Sequence, residues 1–527
     1  MKFLKLFLNN CVPRGVTFLR IARPYSQGPP TIENQDEPPL DGNKKGLVVG
    51  VYESDGQFEL TEVAAEIDQK SEGKLSQQLS ELSCQLKLGR AFAITGVEGY
   101  SAVALASFGP KDACFNRMEM LDESKENVRW GVGAGVRLLQ SRGCGVVEVD
   151  GGGQPDAAAE AAQLAAWRFQ EFRSCKEPLV QLRPRAAAPG WAAGAARGAA
   201  QNWARFLADM PANKMTPIDL AQAALDVLCP LGVVVEARDR EWIETQDMRA
   251  FLTVAQGSCE EPAFLECRYT GAKEGAPPVL LVAKGVTFDS GGLCLKDASL
   301  MCENRGSMAG AAVVLATLKI LATLKTPINV VALIPLCENM ISGQCMKVGD
   351  VVRALNGVNI QIEDTDMEGR LMLADTLVYG QTIYKPALII DVATFTRGVL
   401  LATGGGAYGC FSNNEAAWRV LQRAGARAGD RPWRFPLWGY YRRQLVDDPS
   451  VDLRNKGSGS ATSCLGAAFL QRFVCCDWMH VDVTGVGKVA HSAPPYLRKH
   501  RMSGRPTRAL ALALEDIAAD AGEKTEE

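Results

Sequence analysis

The chain has 527 residues, 47% of them hydrophobic, and its 57 basic and 60 acidic residues leave a formal net charge of −3. This length and composition exclude a disordered or fibrous protein and are enough for two or three globular domains. The balanced charge gives no reason to expect a nucleic-acid partner, because phosphate binding needs a concentrated basic face.

The N-terminal segment has the composition of a targeting sequence. Residues 1–26 include basic but no acidic side chains, and a short apolar helical face ends at Pro13. This pattern predicts a mitochondrial transit peptide and a location in the matrix, with a disordered tail as the alternative. Residues 27–43, rich in Pro, Gly, Asp and Glu, predict a disordered connector. The apolar runs are too short to span a bilayer, so we expect no membrane partner.

Alternating apolar runs and helical patterns organise the rest of the chain. They predict an N-terminal α/β domain over 44–182. Residues 183–200 shift to Ala, Arg, Gly and Pro, which predicts a partly helical interdomain linker. A larger α/β domain follows over 201–517, where buried-strand runs begin at Val279, Ile328 and Ala387. The charged end, 518–527, predicts a frayed tail.

Cysteine and histidine usage limits the metal sites that this chain can build. None of the sixteen cysteines forms a CxxC pair, which favours reduced, mostly buried thiols over a disulfide framework. The three histidines are His480, His491 and His500. This number excludes a histidine-rich zinc site, so any metal must be held mainly by carboxylates.

Three short segments after predicted strands concentrate functional residue types: AKGVTFDSGG (283–292), LCENMISG (336–343) and DTDMEGRL (364–371). Loops beyond strand ends are where α/β proteins place ligands. Asp364, Asp366 and Glu368 share one side of an extended segment and repel each other unless a cation lies among them. Arg370 on the same side could supply that charge, so a solvated acidic strand and a metal site both remain open.

These segments resemble the core motifs of the leucyl aminopeptidases, a family of two-metal exopeptidases. Four more segments are similar to family segments, at 202–217, 349–357, 429–437 and 495–508, so the resemblance covers about residues 44–515. It implies a smaller N-terminal α/β domain and a larger C-terminal peptidase-type domain with a mixed central sheet. It also implies a homo-hexamer or related hetero-oligomer that releases N-terminal amino acids from peptides.

The resemblance also implies roles for individual side chains. Four fall on metal-ligand positions for two divalent ions, which are manganese, zinc or magnesium in the family: Lys284, Asp289, Asp366 and Glu368. Lys296 falls on the lysine that polarises the scissile carbonyl, and Arg370 on the arginine that holds a bicarbonate acting as the base. The residue types suit this chemistry, because carboxylates neutralise paired dications and a nearby cation stabilises an oxyanion.

One ligand position departs from the family pattern. The family places an aspartate where this chain has Ser307. A hydroxyl is a poorer metal ligand than a carboxylate. Even substitution of a residue that only hydrogen-bonds to a metal ligand costs about 10–100-fold in metal affinity or activity. We therefore expect weakened metal binding, above all of the ion at Lys284. Three nearby residues could compensate: Asp364, Glu303 and Cys302.

A second departure lies in the loop that contacts the substrate's first residue in the family. Phe395 and Arg397 stand there, and we expect the arginine to crowd the pocket. The sequence thus leaves three hypotheses: an impaired mitochondrial metalloaminopeptidase, an inactive structural oligomer, and a one-metal protein that binds peptides without cleaving them. The chain resembles the mitochondrial insect sperm members of the family, in which metal ligands are eroded, and this resemblance favours the inactive structural oligomer as the runner-up.

Overall fold

The computed structural model describes residues 44–526, except 55–56, 83, 274 and 488–492. The predicted transit peptide, the predicted connector and His491 lie outside this part of the chain. In the described part all fifteen cysteines are free thiols, as expected, but only six of them are buried. The expectation of mostly buried thiols was therefore wrong.

The first domain is an α/β domain with a six-stranded sheet. Its elements are β1 (Lys45–Ser54), β2 (Gln57–Leu60), α1 (Glu62–Lys70), α2 (Lys74–Leu82), β3 (Ala91–Ile94), β4 (Ala102–Pro110), β5 (Phe115–Asn116), β6 (Leu121–Asp122), α3 (Glu123–Ser141), β7 (Val146–Val149), α4 (Pro155–Ala166) and β8 (Gln181–Pro184). The sheet order is β3-β4-β1-β7-β8, and β2 pairs with β1. Both faces of β1 are buried, since Val48 and its neighbour Val49 pack into different apolar clusters.

The second domain begins with helices and contains most of the chain. Its elements before the central sheet is complete are α5 (Trp191–Asp209), α6 (Pro217–Leu228), β9 (Val234–Arg238), α7 (Arg240–Thr245), α8 (Arg249–Ala255), β10 (Ala263–Thr270), β11 (Val279–Ala283), β12 (Gly285–Asp289), α9 (Ala298–Met301), a 3₁₀ helix (Cys302–Met308), α10 (Ala309–Leu324) and β13 (Asn329–Asn339). A helix break lies at Pro211, between α5 and α6.

The remaining elements complete the domain: β14 (Val351–Arg353), β15 (Asn359–Gln361), α11 (Gly369–Tyr384), β16 (Leu388–Ala393), α12 (Arg397–Thr403), β17 (Tyr408–Ser412), α13 (Glu415–Ala428), β18 (Pro432–Arg434), α14 (Gly439–Arg443), β19 (Leu453–Arg454), α15 (Thr462–Leu470), β20 (Trp478–Asp482) and α16 (Thr507–Glu526). The helix α16 runs through the residues predicted as a frayed tail from 518. The helix therefore ends later than the charged composition predicted.

The central sheet of the second domain is mixed, as the resemblance implied. Its order is β18-β17-β20-β16-β11-β13-β10-β9, and β12 pairs with β13. The inner strands β16, β11 and β13 are parallel, whereas β10 runs antiparallel to β13. Alternate residues of β11 enter different apolar clusters, so this strand is buried on both faces. Parallel inner strands end at one edge of the sheet, and the candidate site lies there.

The continuous helical stretch Cys302–Leu324 is long and apolar enough to cross a membrane, which the sequence analysis did not anticipate. However, 78% of its apolar window is buried inside the fold. Helix α10 packs against α5, α6 and α16 in the larger apolar cluster. A helix that is apolar on all sides is expected at such a position in a large domain.

The segment 183–200 includes the end of β8 and the first part of α5, so a helix covers its second half. Strand β8 ends at Pro184 and α5 begins at Trp191, so only 185–190 connects the domains. A Cβ atom on Gly194 would lie 2.1 Å from the carbonyl oxygen of Asp156 in α4. The small residues therefore allow α5 to pack closely on a helix of the first domain. Composition alone cannot distinguish such a close helix contact from a flexible connector.

A buried ion cluster also joins the two domains. Glu160 of α4 accepts hydrogen bonds from Arg129 of α3, at 2.9 Å, and from Arg508 of α16, at 2.6 Å. All three side chains are fully buried. Burial alone would raise the pKa of Glu160, but the two guanidinium groups outweigh it and lower that pKa. The domains thus share charges that neither could bury alone at low cost.

Candidate metal centre

Asp289 is fixed at the end of β12 by its parallel neighbour β13. The side chain of Asn339 on β13 donates a 2.9 Å hydrogen bond to Asp289 Oδ1, and the backbone N–H of Gly291 donates another of 2.9 Å. Gly291 has a φ of +88°, and a Cβ there would lie 3.2 Å from Asp366 Oδ1. A glycine is needed at this turn because the backbone passes directly beside the second carboxylate.

The other two carboxylates lie just before α11. Thr365 donates a 2.7 Å hydrogen bond to the carbonyl of Gly291, so the segment carrying Asp366 and Glu368 is fixed to the turn after Asp289. One oxygen from each of Asp289, Asp366 and Glu368 lies within 4.8 Å of the others. The structure therefore brings together the three carboxylates that the sequence selected, one from the end of β12 and two from the segment before α11.

Two lysine side chains approach these carboxylates. Lys284 Nζ lies 2.5 Å from Glu368 Oε1 and donates a 3.0 Å hydrogen bond to the carbonyl of Thr394. Lys296 Nζ lies 3.0 Å from Asp289 Oδ2 and also contacts Asp366 Oδ1. Two ammonium groups therefore face three carboxylates, and one negative charge remains uncompensated.

The carboxylates influence each other's protonation. Burial, together with the charges of Asp289 and Glu368, raises the pKa of Asp366 to about 7. Burial and Asp289 likewise raise the pKa of Glu368. For Asp289, burial would raise the pKa, but the charges of Lys284 and Lys296 outweigh it and hold the pKa below its usual value. Close carboxylates whose pKa values are shifted in opposite directions are typical of a site that binds a cation.

The donor set fits divalent metal ions. Asp366 Oδ1 and Glu368 Oε1 are the oxygens that contact Lys296 and Lys284, respectively. Three buried carboxylates that lie this close together repel each other, and a bound cation would relieve that repulsion. Oxygen ligands suit manganese and magnesium, and zinc also accepts carboxylates. The three carboxylates and Lys284 are the residues that would hold such ions.

Ser307 lies beside this cluster at the end of the 3₁₀ helix. Its side chain is buried, and its carbonyl accepts a hydrogen bond from the hydroxyl of Thr394. The carbonyl of Thr394 in turn accepts from Lys284, and the backbone N–H of Ala311 donates to the carbonyl of Lys284. The segment around Ser307 is therefore anchored to the lysine, and a short hydroxyl occupies the position where the resemblance implied a carboxylate.

The three residues considered as substitutes for the missing aspartate do not join the carboxylate group. The metal-competent group among the described residues consists of Asp289, Asp366 and Glu368. Asp364 instead accepts 3.0 Å hydrogen bonds from Lys456 and from the backbone N–H of Asp366. Glu303 is half-buried outside the group, and Cys302 is exposed. These residues are near the site in the sequence, but they do not belong to the carboxylate group.

Arg370 is buried on α11 near the carboxylates. It donates a hydrogen bond to the carbonyl of Asn455, and its guanidinium lies 5.3 Å from the ring centre of Phe395. Burial lowers the pKa of Arg370 to about 10, although Glu368 counteracts part of this effect. A Cβ on Gly466 would lie 3.3 Å from the Arg370 guanidinium, so the glycine leaves space around this cation.

The loop with Phe395 and Arg397 adopts a different arrangement from the one expected. The ring of Phe395 packs edge-on against His480, with centroids 4.6 Å apart, and turns towards Arg370. Arg397 begins α12 and is exposed. Phe395 is therefore the residue of this loop that packs towards Arg370, whereas the side chain of Arg397 is exposed.

A buried polar pair beneath this loop was missed by the sequence analysis. His480 Nδ1 lies 2.5 Å from Asp391 Oδ1, and the indole of Trp478 donates a 2.6 Å hydrogen bond to Asp391 Oδ2. Asp391 and His480 are both completely buried. The signal was present, because Asp391 interrupts an otherwise apolar strand run, and such a charge must find a partner inside the fold.

The two-domain α/β fold and its lysine–carboxylate site match those of a known protein family. A model described as "Cytosol aminopeptidase family, catalytic domain" matches residues 202–511, and one described as "Cytosol aminopeptidase family, N-terminal domain" matches residues 48–176. The chain belongs to the cytosol aminopeptidase family. The predicted family and fold class are thereby confirmed.

Individual relatives match over nearly their full lengths. The cytosol aminopeptidase of Xenopus tropicalis is 42% identical over 479 residues, which are 89% of this chain and 92% of that protein. The human cytosol aminopeptidase is 40% identical and covers 88% of this chain and 91% of its own length. Among solved structures, the bottromycin maturation enzyme BotP in complex with Mn matches with a TM-score of 0.76 and 27% identity, covering 90% of this chain and 100% of that one.

Proposed function

We propose that this protein is an exopeptidase that releases N-terminal amino acids from peptides, with metal binding and turnover weakened at Ser307. The observation that carries the proposal is the buried group of Asp289, Asp366 and Glu368 beside Lys284, with a serine at the adjoining position. Membership of the family supports peptide substrates and metal dependence. We therefore expect the family's peptide cleavage, with a lower metal affinity and a lower turnover rate.

Charge explains why the site would bind metal weakly. Three carboxylates balance most of the charge of two dications, and a fourth would balance all of it. In the structure two ammonium groups already neutralise most of the negative charge. Binding of the two ions must therefore displace lysine interactions, and the pair gains one carboxylate fewer in return. Metal affinity should fall most at the ion beside Lys284, since Ser307 is linked to this lysine through Thr394.

The chain's own residues have defined parts in peptide cleavage. Two divalent ions, when bound, supply an activated water and an anchor for the peptide's free amine. Lys284 can act as a ligand only when its amine is neutral. Lys296 remains charged, because Asp289, Glu368 and Asp366 raise its pKa despite burial, and it can stabilise negative charge on the substrate's carbonyl oxygen. Arg370 can hold an anionic base such as bicarbonate.

A direct test uses purified protein and short peptides with a free or an acetylated N-terminus. With added manganese or zinc, we expect slow release of the first residue from the free peptide only. Lys296→Met should reduce kcat by at least about 100-fold, as expected for loss of an oxyanion-stabilising group. Release from the acetylated peptide would show a different specificity from the one proposed.

The runner-up is a structural oligomer with no catalysis. One observation favours it: the two lysines already neutralise most of the carboxylate charge, so the fold does not depend on metal at this site. Absence of turnover at saturating manganese, zinc and magnesium, with substoichiometric metal content, would support this alternative over the first. Calorimetry with a peptide and metal would separate it from a one-metal protein that binds peptides without cleaving them.

The proposal also includes the oligomeric state and the cellular location of the protein. We expect a homo-hexamer or a related hetero-oligomer, as in the family, and a location in the mitochondrial matrix. A role in sperm mitochondria goes with the structural alternative. Light scattering on the purified protein tests the assembly. Import of the full chain into isolated mitochondria, with a chain that begins at residue 27 as control, tests the location.

A further inference from the structure

A large cavity lies between the two domains. It has a volume of about 880 Å³ and is formed by the segment after α4, the end of α5, the start of the 3₁₀ helix and the segment near residue 500. Its most frequent lining residue is arginine, at five positions: Arg168, Arg173, Arg305, Arg498 and Arg501. Only two carboxylates, Glu177 and Asp209, line it as well. Three positive charges in its wall therefore have no matching negative charge there.

The two carboxylates are already engaged by the arginines. Glu177 forms an ion pair with Arg168 and lies 3.9 Å from Arg173. Asp209 Oδ1 accepts a 3.0 Å hydrogen bond from Arg305 and lies 3.9 Å from Arg501. The two contacts of 3.9 Å are too long for hydrogen bonds. Arg173 and Arg501 therefore have donors available for a further anion.

Arg498 is the least compensated of the five cations. Its side chain donates hydrogen bonds to neutral acceptors: the carbonyls of Trp167 and Ala165 and the side-chain oxygen of Gln140. Burial lowers the pKa of Arg498 to about 10, and the charges of Arg137 and Arg168 contribute to this. Removing a guanidinium from water without a carboxylate partner costs free energy. A bound anion at this position would offset that desolvation cost.

We propose that this cavity binds a small anion that carries two or more phosphate or carboxylate groups. Guanidinium groups form paired hydrogen bonds with both kinds of oxyanion, and several of them converge here around a space of metabolite size. The cavity is separate from the carboxylate cluster. Phe288 lines the cavity, whereas Asp289, the next residue of strand β12, belongs to the cluster, and successive strand side chains point to opposite faces.

The test measures binding of two probes to the metal-free full chain by calorimetry at constant ionic strength. Pyrophosphate represents the phosphates and citrate the carboxylates, and orthophosphate is the reference with a single anionic group. We expect saturable binding of at least one probe, more tightly than of orthophosphate, together with an increase in Tm. The probe that binds more tightly identifies which oxyanion the cavity prefers.

A double variant tests the location of the anion. Arg173→Gln/Arg501→Gln changes two surface arginines, whose side chains are 62% and 42% exposed, so the fold should be retained. We expect it to weaken probe binding roughly tenfold or more. The matched control, Arg419→Gln/Arg240→Gln, changes arginines that are 62% and 37% exposed and lie elsewhere, and it should bind as the unaltered protein does.

Three results would overturn the proposal. The first is absence of saturable binding of both probes at millimolar concentration. The second is equal weakening by the test and control variants, which would indicate attraction by overall charge. The third is binding that the double variant retains and Lys296→Met loses, which would place the anion at the carboxylate cluster. None of these results bears on peptide cleavage, so the proposed function is tested separately.

Discussion

The hydroxyl of Thr394 donates a hydrogen bond of 2.6 Å to the backbone carbonyl of Ser307. Thr394 also accepts from Lys284 through its own carbonyl. One threonine thus connects the only lysine that contacts Glu368 in the described site with the position where the family has an aspartate. The side chain at position 307 is therefore placed to affect the ion nearest Lys284.

Restoring a carboxylate at this position should strengthen the site. We expect Ser307→Asp to increase manganese affinity by at least about tenfold and to raise peptide turnover, because a charged ligand replaces a neutral hydroxyl. Metal content and the rate of N-terminal release measure these effects. Ser307→Ala is the control, and it should resemble the unaltered protein. If the alanine variant lost metal as severely as Asp289→Asn, the serine would itself be an effective ligand.

Metal removal should leave the fold intact. Lys284 and Lys296 neutralise most of the carboxylate charge, so a chelator should lower stability only by the mass-action term, about 2.7 kcal/mol at a metal concentration of 100 times Kd. Near-UV circular dichroism and thermal melting check this expectation. Lys284→Met should instead destabilise the metal-free protein by roughly 3–5 kcal/mol, because Glu368 loses its buried partner. Unfolding of the unaltered protein on chelation would contradict this account.

The close contact between α4 and α5 should tolerate no added methyl group. In Gly194→Ala the new Cβ would lie 2.1 Å from the carbonyl oxygen of Asp156, so the helices would have to move apart. Overpacking costs about 1–3 kcal/mol, whereas alanine gains about 1 kcal/mol in helix propensity. We therefore expect a net loss of stability in urea unfolding.

A matched glycine provides the control for this helix contact. Gly439 on α14 has no atom nearer than 3.6 Å to the position of an added Cβ. Gly439→Ala should therefore be neutral or stabilising, because only the gain in helix propensity remains. Equal effects of the two substitutions would show that α4 and α5 do not depend on the small side chain.

Stability should also depend on the protonation of Asp375. Its carboxyl group is buried, accepts hydrogen bonds from the backbone N–H groups of Phe251 and Leu355, and has a pKa that burial raises to about 7. The unfolded pKa is about 3.9. The folded state thus retains the proton to higher pH, and the free energy of unfolding should fall as pH rises from about 4 to about 7, by up to about 1.4 kcal/mol per unit.

The substitution Asp375→Asn removes this titration. In urea unfolding, the difference in stability between the unaltered protein and the variant should shift in favour of the variant as pH rises through this interval. Asp226→Asn changes an exposed carboxylate and should leave the pH profile parallel to that of the unaltered protein. A parallel profile for Asp375→Asn as well would show that Asp375 does not titrate in this range.

The sequence was sufficient for the parts of the site that follow strand ends. Asp289 follows a strand of the central sheet, whereas Asp366 and Glu368 precede α11 and were selected only through the resemblance to a known family. The side-chain directions were not predictable. Asp364 lies two residues from Asp366, yet it pairs with Lys456, nearly a hundred residues away in the chain. Sequence proximity therefore suggested a substitute ligand that tertiary contacts direct elsewhere.

The errors in the fold have a common cause. The Ala- and Gly-rich stretch before residue 200 resembled a connector, because its small residues are explained only by the helix packed on them. The 3₁₀ helix Cys302–Met308, which extends the apolar helix α10 towards its N-terminus, was similarly not predicted, since glycine and polar residues interrupt the sequence pattern there. In both places the missing information was the partner surface, which a local window of sequence does not contain.

The ion cluster of Arg129, Glu160 and Arg508 also constrains how the protein can be synthesised. Arg129 and Glu160 emerge from the ribosome in the first third of the chain, whereas Arg508 arrives with α16, the final 20-residue helix. Until α16 has been synthesised, the ion cluster of the N-terminal domain lacks one of its two guanidinium groups. The domains can therefore complete this contact only after Arg508 has been translated.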